Sequence, residues 1–166
     1  MCNEVSRAGT GEWDVEFYAD EQGREPCRQW ADGLSPQKQA AFTAAVRLVL
    51  ARRGPDVVET EYGKALGDGL YEFRVRWSAA EISHKIQGLP AEDVGAAPED
   101  ILLRLFFCTA GRKIVLLLDG YDKAQHPGNR WQQRQIAKAR KLLTAYREAQ
   151  KRARKRARKR RQPGTP

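Results

Sequence analysis

The chain predicts an α+β domain: two N-terminal helices packed on a small, largely antiparallel sheet, with a C-terminal helix. Three observations predict it. "LYEFRVR" (70–76) alternates apolar and polar residues, the period of a β-strand with two different faces. "ILLRLFFC" (101–108) and "KIVLLLDG" (113–120) flank the short turn "TAGRK" and read as an antiparallel hairpin of central strands. Two stretches, after Ser35 and after Gly128, repeat their apolar residues at helical spacing. At 166 residues and 41% hydrophobic, the chain has material for one core and some extras.

The elements follow in order. Residues 1–12 are polar and read as a flexible N-terminus. "WDVEFYAD" (13–20) alternates, with Trp13, Val15 and Phe17 on one side, and reads as a first strand. A short helix over 24–32 turns Cys27, Trp30 and Ala31 inward. Ser35 suits an N-cap and Pro36 the first helical position, and Gly54-Pro55 stops the helix. Its inward residues are Phe42, Ala45, Val46, Val49 and Leu50. A loop containing Lys64 and the turn "GDG" (67–69) lead into the strand at 70–77. That strand carries Tyr71, Phe73, Val75 and Trp77 on one side and Glu72, Arg74 and Arg76 on the other. Residues 78–100, rich in Ala, Gly, Pro and acid, read as a long inserted loop. After the hairpin, Gly128 or Asn129 starts a helix that buries Ile136, Ala139, Leu143 and Tyr146. The body spans 13–150, and 151–166 form a basic tail, disordered or helical.

Charge is distributed unevenly. "KRARKRARKRR" (151–161) holds nine of the thirty Lys and Arg, which leaves 21 basic against 21 acidic residues elsewhere. The whole net charge of +9 therefore sits in the tail. An anionic partner is expected. Cys2, Cys27 and Cys108 show no metal-ligand or redox spacing, which fits a reducing, cytoplasmic location. The N-terminus has no apolar signal-like core, and the apolar runs are too short to span a bilayer. No membrane partner is expected.

Arg104 interrupts an apolar strand. Pairing of 70–77 with 101–108 puts Arg74, Arg76 and Arg104 on one face, with Lys123 at its rim after the last strand. Guanidinium groups hold phosphate through a fixed fork and stabilise phosphoryl transition states. The plain alternative is an exposed sheet face solvated by arginine. RNA carries its own nucleophile, the 2′-OH, so its cleavage needs a phosphate clamp and proton carriers, with no metal or cofactor. His126, in "DKAQHPGN" near Lys123, is a candidate general acid or base, against a loop histidine without a role. His84 lies in the insert and reads as incidental. Asp122, Glu72, Tyr121 and Trp131 are weaker candidates for proton handling, orientation or base stacking. No phosphate-binding glycine loop, zinc pattern or serine nucleophile motif occurs.

These segments resemble the RelE/ParE superfamily of bacterial toxins, in particular its HigB-type, phage-derived branch. The resemblance rests on "WDVEFYADEQGREPCRQW", "LSPQKQAAFTAAVRLVL", "KALGDGLYEFRVR" and "LLRLFFCTAGRKIVLLLDGYDKAQ", with the helix that follows. It covers residues 13–146 without the insert. It implies a RelE-like fold and a toxin of a type II toxin–antitoxin pair. Such toxins typically act as ribosome-dependent, metal-independent mRNA endonucleases (mRNA interferases) that inhibit translation. It implies a cognate helix-turn-helix antitoxin, with the ribosome and mRNA as further partners. Arg74, Arg76, Arg104 and Lys123 match the family's basic positions. His126 is not fixed by the match. Lys64, Trp131 and the tail residues Lys151, Arg152, Arg154, Lys155 and Arg156 are expected to bind RNA.

Two features depart from the family pattern. Relatives join the two arginine strands by a short turn, whereas 78–100 intervene here. Relatives stop near the last helix, whereas this one meets the basic tail. Charge alone allows the tail ribosomal RNA, DNA, an acidic antitoxin segment or anionic lipid. A nuclease is the leading expectation. A ParE-like gyrase-inhibiting toxin and a non-catalytic nucleic-acid-binding protein on the same fold are the alternatives.

Overall fold

The structure is a computed structural model that describes residues 12–90 and 99–161. Five strands form one sheet: β1 (Asp14–Phe17), β2 (Gly63–Gly67), β3 (Leu70–Val75), β4 (Leu103–Ala110) and β5 (Ile114–Asp122). Their order is β1-β5-β4-β3-β2. β1 pairs parallel with β5, and every other pairing is antiparallel. The α+β class is as predicted, with one strand preceding the two N-terminal helices. The expected flexible residues 1–11 lie outside the described part.

β4 and β5 are apolar on both faces because both faces are covered. On one face Val15, Phe17, Phe73, Val75, Leu103, Leu105, Phe107, Val115 and Leu117 meet α1 (Pro26–Asp32) and α2 (Pro36–Ala45). Ser35 caps α2 by accepting the Lys38 amide, as its sequence suggests. The chain continues through a wider helical turn, Val46–Leu50, into the short α3 (Ala51–Arg53). Gly54 then takes a positive φ of 54° and ends it. On the other face Leu70, Phe106, Cys108, Leu116, Leu118 and Tyr121 meet Ala139 and Leu143 of the last helix.

Two expectations need correction. The insert is not wholly a loop: α4 (Ala79–Gln87) occupies its first part. Ser78 and Glu81 form a reciprocal capping box, and Gly88 closes the helix in the left-handed region. Ile82 is fully buried in the core on the α2 side. Residues 91–98 of the insert lie outside the described part. The second correction concerns Lys64, which belongs to the edge strand β2 and not to a loop. It stands opposite Glu72 in register, with its side chain exposed. The "GDG" turn joins β2 to β3 with three successive positive φ angles, which two glycines and an aspartate tolerate.

The last helix, α5 (Asn129–Arg161), runs unbroken through the basic run, and residues 162–166 of the tail lie outside the described part. Arg140 and Arg147 donate to backbone oxygens of the 66–68 turn, and Lys138 pairs with Asp119 at 2.8 Å. Arg152 pairs with Glu21 beside β1. These contacts clamp α5 across the sheet. Among the described residues, no helix is long and apolar enough to cross a membrane.

Gly120 in β5 lies under the Trp30 ring of α1. A Cβ there would sit 2.3 Å from Cζ3. Gly120→Ala must push α1 outward, and we expect a loss of about 1–3 kcal/mol in denaturant unfolding.

Candidate functional site

The period-2 reading of β3 holds, and it places a carboxylate among the arginines. Arg74 stands directly opposite Arg104 across β3 and β4, and Arg104 directly opposite Tyr121 across β4 and β5. Like charges so paired repel. Glu72 answers the repulsion. Its carboxylate is completely buried, accepts Arg74 Nε at 2.7 Å and lies 4.0 Å from Arg104 Nε. Gln132 of α5 donates to its other oxygen at 3.1 Å. Arg104 Nη1 donates to its neighbour Leu103 O at 3.2 Å.

This face is therefore not the open sheet surface that the alternation suggests. It is the face under α5. Arg104 is 4% exposed and Tyr121 3% exposed. Arg74 is half-buried and Arg76, just past the strand, is exposed. The basic strand runs from a buried anion outward to an exposed cation. Burial lowers the Arg104 guanidinium pKa, and Arg76 and Arg74 lower it further, while Glu72 and Tyr121 oppose them. Burial raises the Tyr121 hydroxyl, helped by Glu72 and opposed by Arg104 and Arg74, so it stays protonated as a donor. Among the described residues, neither Arg104 Nε nor Tyr121 Oη has a hydrogen-bond partner, although both are buried. Two buried, adjacent, unsatisfied groups are unusual in a folded protein.

Lys123 reaches the same cluster through Gln132, whose Oε1 it approaches at 3.4 Å. Among the described residues, no hydrogen bond or ion pair joins His126 to the arginines. It is exposed and stacks on Trp131, with centroids 4.2 Å apart and planes 16° from parallel. Trp131 thus has one ring face already occupied, and its buried Nε1 lacks a partner among the described residues. Both rings border a cavity of about 430 Å³, together with Trp30, Lys38, Glu99 and Tyr121. Tyr121 is the residue common to the cavity and the arginine cluster. Lys64 faces solvent on β2, and Lys151, Arg152, Arg154, Lys155 and Arg156 lie at the far end of α5.

Asp122 also lines this cavity and is held in a buried ion pair. It is 3% exposed and receives Lys38 Nζ at 2.6 Å and the Ala124 amide at 2.9 Å. Lys38 also lies 3.7 Å from Glu99, which accepts Ser35 Oγ. The Asp122 hydrogen bond raises the Lys38 pKa, burial opposes it and Glu99 adds to it. This buried anchor escapes sequence reasoning because Lys38 looks like any lysine of an amphipathic helix. Gln132 escapes it for the same reason. Burial pushes the Cys27 thiol well up and the Cys108 thiol up to about 11, so neither is a ready nucleophile.

Compared with known proteins, the chain matches no family model, no curated protein and no solved structure.

Arg104→Ala should cost about 3 kcal/mol in urea unfolding, since Glu72 loses a buried counter-charge. The exposed Arg76→Ala should stay within about 0.5 kcal/mol. Of the strand arginines, Arg104 is therefore a buried structural position and not part of an exposed, solvated sheet face. Lys38 contributes stability fully below its ordinary pKa of 10.5, and that contribution is lost as pH rises through its raised folded value. Lys38→Met should show a shallower loss of stability than the parent between about pH 10 and 12 in pH-jump unfolding.

Proposed function

We propose that this chain is the toxin of a type II toxin–antitoxin pair and cleaves mRNA on the ribosome. The observation that carries the proposal is the pair of buried groups without a hydrogen-bond partner among the described residues, Arg104 Nε and Tyr121 Oη, beside Arg74 and the exposed Arg76. A phosphate admitted beside them beneath α5 would accept a hydrogen bond from each. The arginines supply the charge that a phosphoryl transition state needs. In this reading the RNA 2′-oxygen forms a bond to phosphorus as the bond to the 5′-oxygen breaks. One group takes the 2′ proton and another gives a proton to the leaving oxygen. Tyr121 is the donor next to the arginines, and His126 is the proton carrier at the cavity rim. Resemblance to the HigB-type toxins supports the assignment from the sequence side. A helix-turn-helix antitoxin is then the expected inhibitor.

A second reading has its own observation. Glu72 is fully buried between the arginines and cancels part of their charge. That favours a non-catalytic nucleic-acid-binding protein on the same fold.

Cell-free translation with purified protein separates the two. We expect new mRNA 5′ ends only on translated message. Arg76→Ala should reduce them about 10- to 100-fold while the protein stays folded. His126→Ala should lower cleavage without lowering ribosome binding. Intact message at saturating protein would reject the nuclease.

A further inference from the structure

We propose that the free end of α5 is a sequence-independent anchor for duplex DNA, seated in the major groove. The inference does not depend on the nuclease reading. After Arg152, which is tied to Glu21, residues 153–161 are exposed and leave the body as helix. Nine cations lie in the 11 residues from Lys151, about one per 1.8 Å of helix axis at the ordinary helical rise. B-form DNA carries one phosphate per about 1.7 Å of its axis. The two linear charge densities match.

The helical form sorts those cations. The tetrad Lys-Arg-Ala-Arg recurs every four residues, so each position becomes a stripe along the helix. Arg152, Arg156 and Arg160 form one stripe, and Arg154 and Arg158 another. Between them lie Ala153 and Ala157. Lys151, Lys155 and Lys159 fall on the opposite side. Arginine forks therefore flank both sides of a narrow strip where the backbone can approach closely. A major groove presents that shape: a floor between two phosphate walls, about 12 Å wide, enough for one helix. Arginine grips phosphate through two bonds, whereas lysine acts as a point charge.

Other polyanions fit less well. The stretch has no apolar residue larger than alanine, so it has nothing to bury in a lipid surface. An acidic peptide would neutralise one side of a helix that is cationic on three. The A-form major groove of duplex RNA is too narrow for a helix. The two arginine stripes flank the alanine strip and so face the groove's phosphate walls, which makes binding predominantly a phosphate contact with little dependence on sequence. Unbound, the arginine and lysine stripes repel one another at four-residue spacing, and phosphate relieves that repulsion.

Fluorescence anisotropy on the full chain tests this with three labelled probes of one arbitrary sequence: a 20-base-pair DNA duplex, the corresponding RNA duplex and single-stranded DNA. We expect the DNA duplex to bind at least about tenfold tighter than the other two. The triple variant Arg154→Ala, Arg156→Ala, Arg158→Ala should lose about three phosphate contacts, lowering the salt slope by about 2.7. The triple variant Lys151→Ala, Lys155→Ala, Lys159→Ala removes the same charge and should change the slope by less than half as much. Equal effects of the two variants, or equal affinity for RNA and DNA duplexes, would overturn the groove seating. All six positions are exposed, so both variants should keep the parent helix content, which circular dichroism is to check before binding is compared.

Discussion

A single buried carboxylate, Glu72, holds the candidate site together. Without it, Arg74 and Arg104 would face each other across two hydrogen-bonded strands with nothing between them. Burying an ion costs several kcal/mol unless partners satisfy it. Glu72 has Arg74 and Gln132 as hydrogen-bond partners and Arg104 as a nearby counter-charge. The same contact joins α5 to the sheet, because Gln132 bridges Glu72 and Lys123. Site geometry and helix docking therefore depend on one another.

A second buried ion pair plays the matching part on the other face. Lys38 and Asp122 tie the start of α2 to the end of β5, next to the cavity lined by Trp30, Tyr121 and Trp131. The two anchors bracket the same end of the sheet from above and below. Tyr121 stands between them, its neighbour Asp122 in one network and its cross-strand partner Arg104 in the other. That placement explains how one residue can border both the cavity and the arginines.

Much of this architecture is legible in the sequence because period-2 and period-3.6 patterns report burial directly. The alternation of 70–76 correctly groups Glu72 with Arg74, and Ser35-Pro36 correctly starts α2. Covered central strands and a last helix that needs a surface are legible too, in the apolar density of "LLRLFFC" and in Ile136, Ala139, Leu143 and Tyr146. That the cover extends over the arginines is not, because Arg104 inside the strand reads as a charge facing solvent. The insert was harder. Its Ser78-Ala-Ala-Glu81 capping box is a sound helix start, but Gly, Pro and acid further along mask a helix of only nine residues. β2 hides because an exposed edge strand bounded by two glycines has no alternation to show. Contacts such as Gln132 with Glu72 or Lys38 with Asp122 join residues far apart in the chain, and local pattern carries no trace of them.

If Glu72 organises this site, it and Arg104 are energetically coupled beneath α5. A double-mutant cycle of Glu72→Gln and Arg104→Met, followed by urea unfolding, measures that coupling. We expect the double variant to be more stable than the sum of the single losses by about 1 kcal/mol or more. Additivity within about 0.3 kcal/mol would contradict it.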